Sequence, residues 1–202
     1  MRRYHPELLD QRLFVSYWHQ VVEIYSKLPD TCLEIGVVNK FTANYLTHLG
    51  VDVITVDRFR DVCPDVVGSI TNLPFKNNSV DVVSAFEVLE HLEYCHFVPS
   101  LREMARISRR DVIISIPDQS MSVDMLCYHL KNKVCKRNVS EILKEKVIPQ
   151  TNTERSHHYW ELGDREHPLE KIVADIKTAG LNVEKTYRVK GYPYHRYLIL
   201  SK

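Results

Sequence analysis

Apolar positions along the chain change period several times, and each change marks an expected element. From about Pro6 to Lys27, Leu9, Leu13, Phe14, Trp18, Val21, Val22 and Tyr25 recur at helical spacing and predict an amphipathic helix. "TCLEIG", starting at Thr31, is a short strand, and "NKFTANYLTHLG" is a helix stopped by Gly50. "VDVITVD" alternates and then runs apolar, which predicts a strand ending at Asp57. Further strands are expected at "DVV" before Gly68 and at "SVDVVSAF", the latter introduced by the polar turn "KNNS". Leu92, Phe97, Leu101, Met104 and Ile107 predict one helix from Leu89 to Ser108, followed by a buried strand, "DVIISIP", that Pro117 ends. "PLEKIVADIKTAG" reads as a helix with Pro168 in its first turn, Leu169, Ile172, Val173 and Ile176 on its apolar face, and Gly180 at its end. "LNVEKTYRV" and "HRYLILS" close the chain as strands, whereas residues 118–167 show no clear period.

Strands that alternate with helices build a parallel sheet covered on both faces. The link "KGYPY" between the last two strands is too short for a parallel crossover, so that pair must be antiparallel. The expected fold class is therefore α/β: a doubly wound, Rossmann-like, mostly parallel seven-stranded sheet with an antiparallel last strand. Residues 1–202 fit one domain, since a chain of this length buries most of its apolar surface in a single core.

Composition narrows the partners. Hydrophobic residues make up 44% and charged residues 26% of the chain, and the net charge is +1, so no global field recruits nucleic acid or an anionic membrane. The basic run from Lys131 to Lys146 and the arginines at 102, 106, 109 and 110 read as solvated helix faces. No apolar run approaches the ~18 residues that span a bilayer, and "MRRYHPELLD" lacks the apolar stretch of a secretory signal. The five cysteines are scattered, without a Cys-x-x-Cys pair, which fits reduced thiols in a cytoplasmic setting and no zinc site.

Candidate chemistry gathers at the strand ends. In doubly wound sheets ligands sit at the carboxyl tips of the strands, near the point where strand order reverses. The first strand ends at Glu34-Ile35-Gly36, and Asp57 follows Gly36 by 21 residues, a spacing that suits an acid accepting hydrogen bonds from ribose hydroxyls. Arg58 beside it would suit a ribose phosphate, which Asp57 would repel. A pyrophosphate loop needs two further glycines, and Val38 and Phe41 stand in their places. A sulfonium nucleoside carries no phosphate; it needs one sharp turn, which Gly36 can make, and an acid for its ammonium. Glu34 can serve as that acid, directly or by orienting the loop amides.

The run Glu34-Ile35-Gly36-Val37-Val38-Asn39-Lys40, then "VITVD", then "VVGSITNLPFKNNSVDVVSAFEVLEHL", resembles the motifs of class I S-adenosylmethionine-dependent methyltransferases of the small-molecule type. The likeness is strongest from Cys32 to Pro117, and it departs from the family at the second and third loop glycines, here Val38 and Lys40. The resemblance implies S-adenosylmethionine as cofactor, with Glu34, Gly36 and Val37 at its amino-acid end and Asp57 and Arg58 at its ribose. Ser69, where the family usually has an acid, and the amide of Ile70 would meet the adenine, and Glu87 would stand where cofactor and acceptor meet. His91, with an imidazole that titrates near neutrality, is the candidate general base. Insertions after the fifth strand build the family's acceptor pocket, so 118–167 is the expected cap, with His158, Tyr159, Trp160 and Glu161 as acceptor contacts. Tyr17 and Trp18 could cap the cleft, and Tyr192, Tyr194, His195 and Arg196 could line it or only the sheet edge. His157 and Glu161 share a helical spacing but have no third ligand at usable spacing, so no metal is expected. The expected function is methylation of a small-molecule acceptor. The alternatives are a degenerate domain that binds a nucleoside or partner without catalysis, and an RNA or protein methyltransferase.

Overall fold

The computed structural model describes residues 11–37, 39–120, 125, 127, 130 and 158–202. Its elements are α1 (Gln11–Tyr25), β1 (Thr31–Ile35), α2 (Phe41–His48), β2 (Asp52–Asp57), β3 (Val66–Val67), β4 (Val80–Phe86), α3 (Phe97–Ile107), β5 (Ser108–Pro117), α4 (Leu169–Thr178), β6 (Asn182–Val189) and β7 (Tyr192–Ser201). Seven strands form one sheet in the order β3-β2-β1-β4-β5-β7-β6. β1 to β5 pair in parallel, and β7 runs antiparallel to both its neighbours. Order reverses between β1 and β4, which places the ligand crevice of such sheets at the tips of those two strands.

Alternation along the strands sorts the core into two layers, because successive side chains point to opposite faces. Leu33, Val83, Ala85, Val112, Ile114 and Leu198 face one way, against Leu101 and Met104 of α3 and Ile172 and Ile176 of α4. Cys32, Val82, Phe86, Ile113 and Ile199 face the other way, against Val21 and Ile24 of α1 and Leu46 of α2. Two expected helices differ in detail. The helix expected over Leu89–Ser108 starts only at Phe97; two short 3-10 turns, Leu89–His91 and Tyr94–His96, precede it, and extended Leu92 separates them. α1 turns Ser16, Gln20 and Glu23 inward and leaves Phe14, Trp18, Val22 and Tyr25 exposed. Its buried polar face has a partner in the crevice and in β6 and β7, as shown by the bonds from Lys185 and Tyr187 to Glu23 and from Tyr197 to Ser16.

Past β5 the chain is clasped back onto the sheet. Leu162 donates to the Pro117 carbonyl, Gln119 to that of Leu162, and Asp118 to that of Tyr194. Asp118 is fully buried and grips Arg188 (2.5 and 2.8 Å) and Arg196 (2.5 Å). Burial alone would raise its pKa, but the two guanidiniums and Ser120 outweigh that and hold it below the usual carboxylate range. Asp118→Ala strands two half-buried cations and should lower unfolding free energy by about 3–5 kcal/mol in a denaturant titration, with Asp118→Asn costing less. The wild-type protein should lose this margin as pH falls below about 4, where the carboxylate protonates in the unfolded chain and then in the folded one, while Asp118→Ala should show no such loss.

Candidate active site

Gly36 leaves β1 with φ +83°, and a Cβ built on it would lie 2.3 Å from Cγ2 of Val88 at the neighbouring strand tip. No side chain fits there, so the backbone conformation and the close approach both require glycine. The turn is pinned on its far side. The Val37 amide donates to Oδ2 of Asp57 (3.0 Å), and the Phe59 amide donates to Oδ1 (2.9 Å). Lys40, which replaces the family's third glycine, still adopts the left-handed conformation (φ +56°) as the cap of α2. Its ammonium is held by the Cys63 carbonyl.

Behind the loop, a cavity of about 280 Å³ lies between α1 and the tips of β1 and β4. Glu34, Gly36 and Val37 line one end; Glu87, His91 and His195 line the other; Leu13, Ser16, Tyr17 and Gln20 of α1 form a wall. A larger groove of about 430 Å³ between α1 and α2 is lined by Phe14, Tyr17, Phe41 and Tyr45 among others, with no carboxylate among the described residues that border it.

The cavity carboxyls are poorly solvated. Glu34 takes the amide of Ala43 and leaves Oε2 without a protein partner, and burial pushes its pKa up to about 8 against the pull of Ala43 and Lys40. Glu87 holds a left-handed backbone (φ +55°) and accepts the Ser115 hydroxyl at 2.7 Å. Burial also pushes Glu87 up to about 8, with Glu161 adding to the rise. His195 Nε2 stands 3.5 Å from Glu87, and its Nδ1 meets the Ser16 hydroxyl at 2.9 Å. Burial pushes this imidazole down to about 3. At neutral pH the far end of the cavity therefore presents a protonated acid and a neutral imidazole, both fixed by hydroxyl partners.

The other expected site residues divide. Asp57 accepts the loop amides and does not line the 280 Å³ cavity; Arg58 is exposed over the Phe59 ring. Ser69 bonds the Thr71 hydroxyl, and Ile70 is buried in the core beyond the tips of β2 and β3. His158 Nδ1 meets Glu161 Oε1 at 2.8 Å, and Tyr194 donates to the same oxygen at 2.5 Å. Tyr159 points outward, 66% exposed. Trp160, expected at the acceptor, is instead core: it is 3% exposed, packs against Tyr94 and Phe97, and donates to the Leu92 carbonyl. Its large apolar ring is worth more there than at a wet rim. Of the two aromatic caps considered on α1, Tyr17 lines the cavity and Trp18 is exposed. His157, Val38, the basic run 131–146 and most of the expected cap lie outside the described residues. The sequence reading missed Glu90, which is completely buried beside His91 and His158. An acid within a helical reading of Leu89–Ser108 passes as a solvated position, although the run "EVLEHL" that carries the family resemblance contains it.

The sheet order and the crevice at the tips of β1 and β4 are those of a doubly wound α/β fold. Residues 33–116 match the methyltransferase domain family model, which marks this segment as a methyltransferase domain, a class of enzyme that takes S-adenosylmethionine as its cofactor. Solved structures agree on the fold. The PH0226 protein of Pyrococcus horikoshii aligns at 16% identity, TM-score 0.64, over 98% of this chain and 96% of that one. The magnesium protoporphyrin IX methyltransferase of Synechocystis with bound SAH gives 13%, TM-score 0.61, and 100% and 90% coverage. A SAM-dependent methyltransferase from Aquifex aeolicus gives 13%, TM-score 0.60, and 98% and 99%. A search of curated protein sequences finds no match. Among the described residues, no helix is long and apolar enough to cross a membrane.

Two outcomes follow from the loop. Gly36→Ala should lower the melting temperature through both clash and left-handed strain, and adding Val88→Ala should restore only the part due to the clash. Glu34 keeps a proton in the folded state, between about pH 4.5 and 8, that the unfolded chain releases. Its stabilising share is thus complete below the lower value and lost as pH rises through the upper one. Glu34→Gln should gain on wild type across that window in parallel thermal melts, by roughly 2–4 °C per kcal/mol.

Proposed function

We propose that the chain moves a methyl group from S-adenosylmethionine to a small polar acceptor held between α1 and the Glu87–His91 turn. The observation that carries this reading is the 280 Å³ cavity with the Gly36 loop at one end and a cluster of acid and imidazole at the other. In this reading Glu34 meets the ammonium of the cofactor, or holds the loop amides toward its carboxylate. Gly36 and Val37 lie beneath it, Asp57 takes the ribose with Arg58 at its edge, and Ser69 and the Ile70 amide reach the adenine. Methyl transfer is an in-line displacement: the acceptor's electron pair forms the bond to carbon, and the carbon–sulfur pair returns to sulfur. The protein then has to align the two and keep water out. Glu87 and His195 shape the acceptor end, and His91 takes the acceptor's proton when it has one to lose. His158 and Glu161 brace that end, and Tyr159 flanks its entrance. A cavity of about 280 Å³ favours a small molecule over RNA or protein, and the scattered cysteines suit a cytoplasmic setting for the chain.

Saturating cofactor at about 100 times its dissociation constant should stabilise the protein by about 2.7 kcal/mol in thermal melts. Asp57→Asn should erase most of that rise. Incubation of an extract with methyl-labelled cofactor should place the label in the small-molecule fraction; label confined to RNA or protein would reject the acceptor class. His91→Gln should slow turnover by about 10²–10⁴-fold while keeping the cofactor-induced rise.

A further inference from the structure

Glu90 is the least explicable side chain of the described protein. It is fully buried, and among the described residues neither of its carboxylate oxygens has a hydrogen-bond partner. A buried carboxylate without partners is costly, and in native proteins it calls for an ion, a proton or water. Two imidazoles face it: His91 Nε2 stands 3.9 Å from Oε1, and His158 Nε2 stands 3.8 Å from the same oxygen. One donor atom from each of the three residues lies within 4.8 Å of the others. Ligands at ~2.0–2.2 Å around a tetrahedral ion stand about 3.4 Å apart, so closure on an ion asks for shifts of a few tenths of an ångström at these two contacts.

The surroundings fit ligation rather than coincidence. Glu161 accepts from Nδ1 of His158, which leaves the Nε2 lone pair directed at Glu90; a carboxylate behind an imidazole is the usual way a ligand histidine is oriented. Tyr194 donates to that same carboxylate. The backbone holds the two segments in register, since Tyr159 N–H donates to the Glu90 carbonyl at 2.8 Å and the Trp160 indole to the Leu92 carbonyl at 3.1 Å.

We propose that Glu90, His91 and His158 bind one divalent transition-metal ion of the Zn²⁺ type, with Glu161 orienting His158 and a coordination position left for an oxygen ligand. Two nitrogens and one carboxylate favour Zn²⁺ or Co²⁺ over Mg²⁺. Because His91 also lines the cavity, the open position borders the acceptor end. What the ion does there rests on the methyltransferase reading. A hydroxyl or enol of the acceptor entering that position would lose its proton to water, and its oxygen would then attack the methyl carbon as the carbon–sulfur bond breaks toward sulfur. His91 would in that case act through the ion instead of as a free base.

The test uses the full chain, stripped with chelator. Calorimetric titration with Zn²⁺ should show one equivalent bound, with a raised melting temperature, and Co²⁺ should give visible absorption. Glu161→Gln should weaken Zn²⁺ binding by about 10–100-fold. Glu90→Gln and His158→Asn should abolish both the rise and the cobalt spectrum, and metal-free Glu90→Gln should melt no lower than wild type. No Zn²⁺ uptake by the wild type, or uptake undiminished in both Glu90→Gln and His158→Asn, overturns the proposal; Mg²⁺ binding as tightly as Zn²⁺ overturns the nitrogen-seeking assignment. Cofactor-induced stabilisation of the metal-free wild type, measured alongside, separates the two readings. If it persists while Zn²⁺ does not bind, the metal site alone fails; if it is absent, the methyltransferase reading fails.

Discussion

The close approach of two strand tips governs this molecule. β1 and β4 are neighbours where the sheet changes direction, and Gly36 and Val88 touch so tightly that a methyl group at position 36 has no room. That contact sends the backbone away from β1 in a left-handed turn and opens a crevice over the carboxyl ends of both strands. Much of the chemical capacity hangs on its two sides: Glu34 and the Val37 amide from β1, and Glu87, Glu90 and His91 from the turn after β4. A sheet of the same composition with these strands apart would have the same core and no cavity.

The second theme is charge removed from water. The chain is nearly neutral overall, yet Glu34, Glu87 and Glu90 sit where water is scarce, and all three carboxyls are raised in pKa. Such groups are not retained for stability, since an unpaired buried carboxylate works against folding. In the proposed reading they stand where cations arrive: the ammonium and sulfonium of a cofactor at one end, and a metal ion at the other. Asp118 provides the contrast. It is equally buried, but two arginines compensate it fully, and its work is to hold the post-β5 segment against the sheet.

Lys40 bears on whether the departures in the loop signal decay. The family has glycine there, and the backbone here keeps the left-handed geometry that glycine would adopt freely. A lysine in that conformation costs about 1–2 kcal/mol, which its bond to the Cys63 carbonyl and its field on Glu34 offset in part. The left-handed geometry is thus present here with lysine in place of glycine.

Strand and helix periods, the antiparallel ending and the strand-end position of Glu34, Gly36 and Asp57 were all legible in the sequence, because each depends on local pattern or on the rules of sheet winding. The motif run after Gly68 made the methyltransferase class legible as well. What the pattern could not tell was which polar groups face inward. Trp160 reads as a pocket aromatic but is core, and α1 reads as an apolar face but turns Ser16 and Gln20 toward the crevice. Glu90 and His158 are 68 residues apart and meet only because the clasp at Leu162 and Gln119 folds the post-β5 segment over the β4 turn. Periodicity reports the side of an element on which a residue sits; which distant residue waits there is decided by tertiary packing alone.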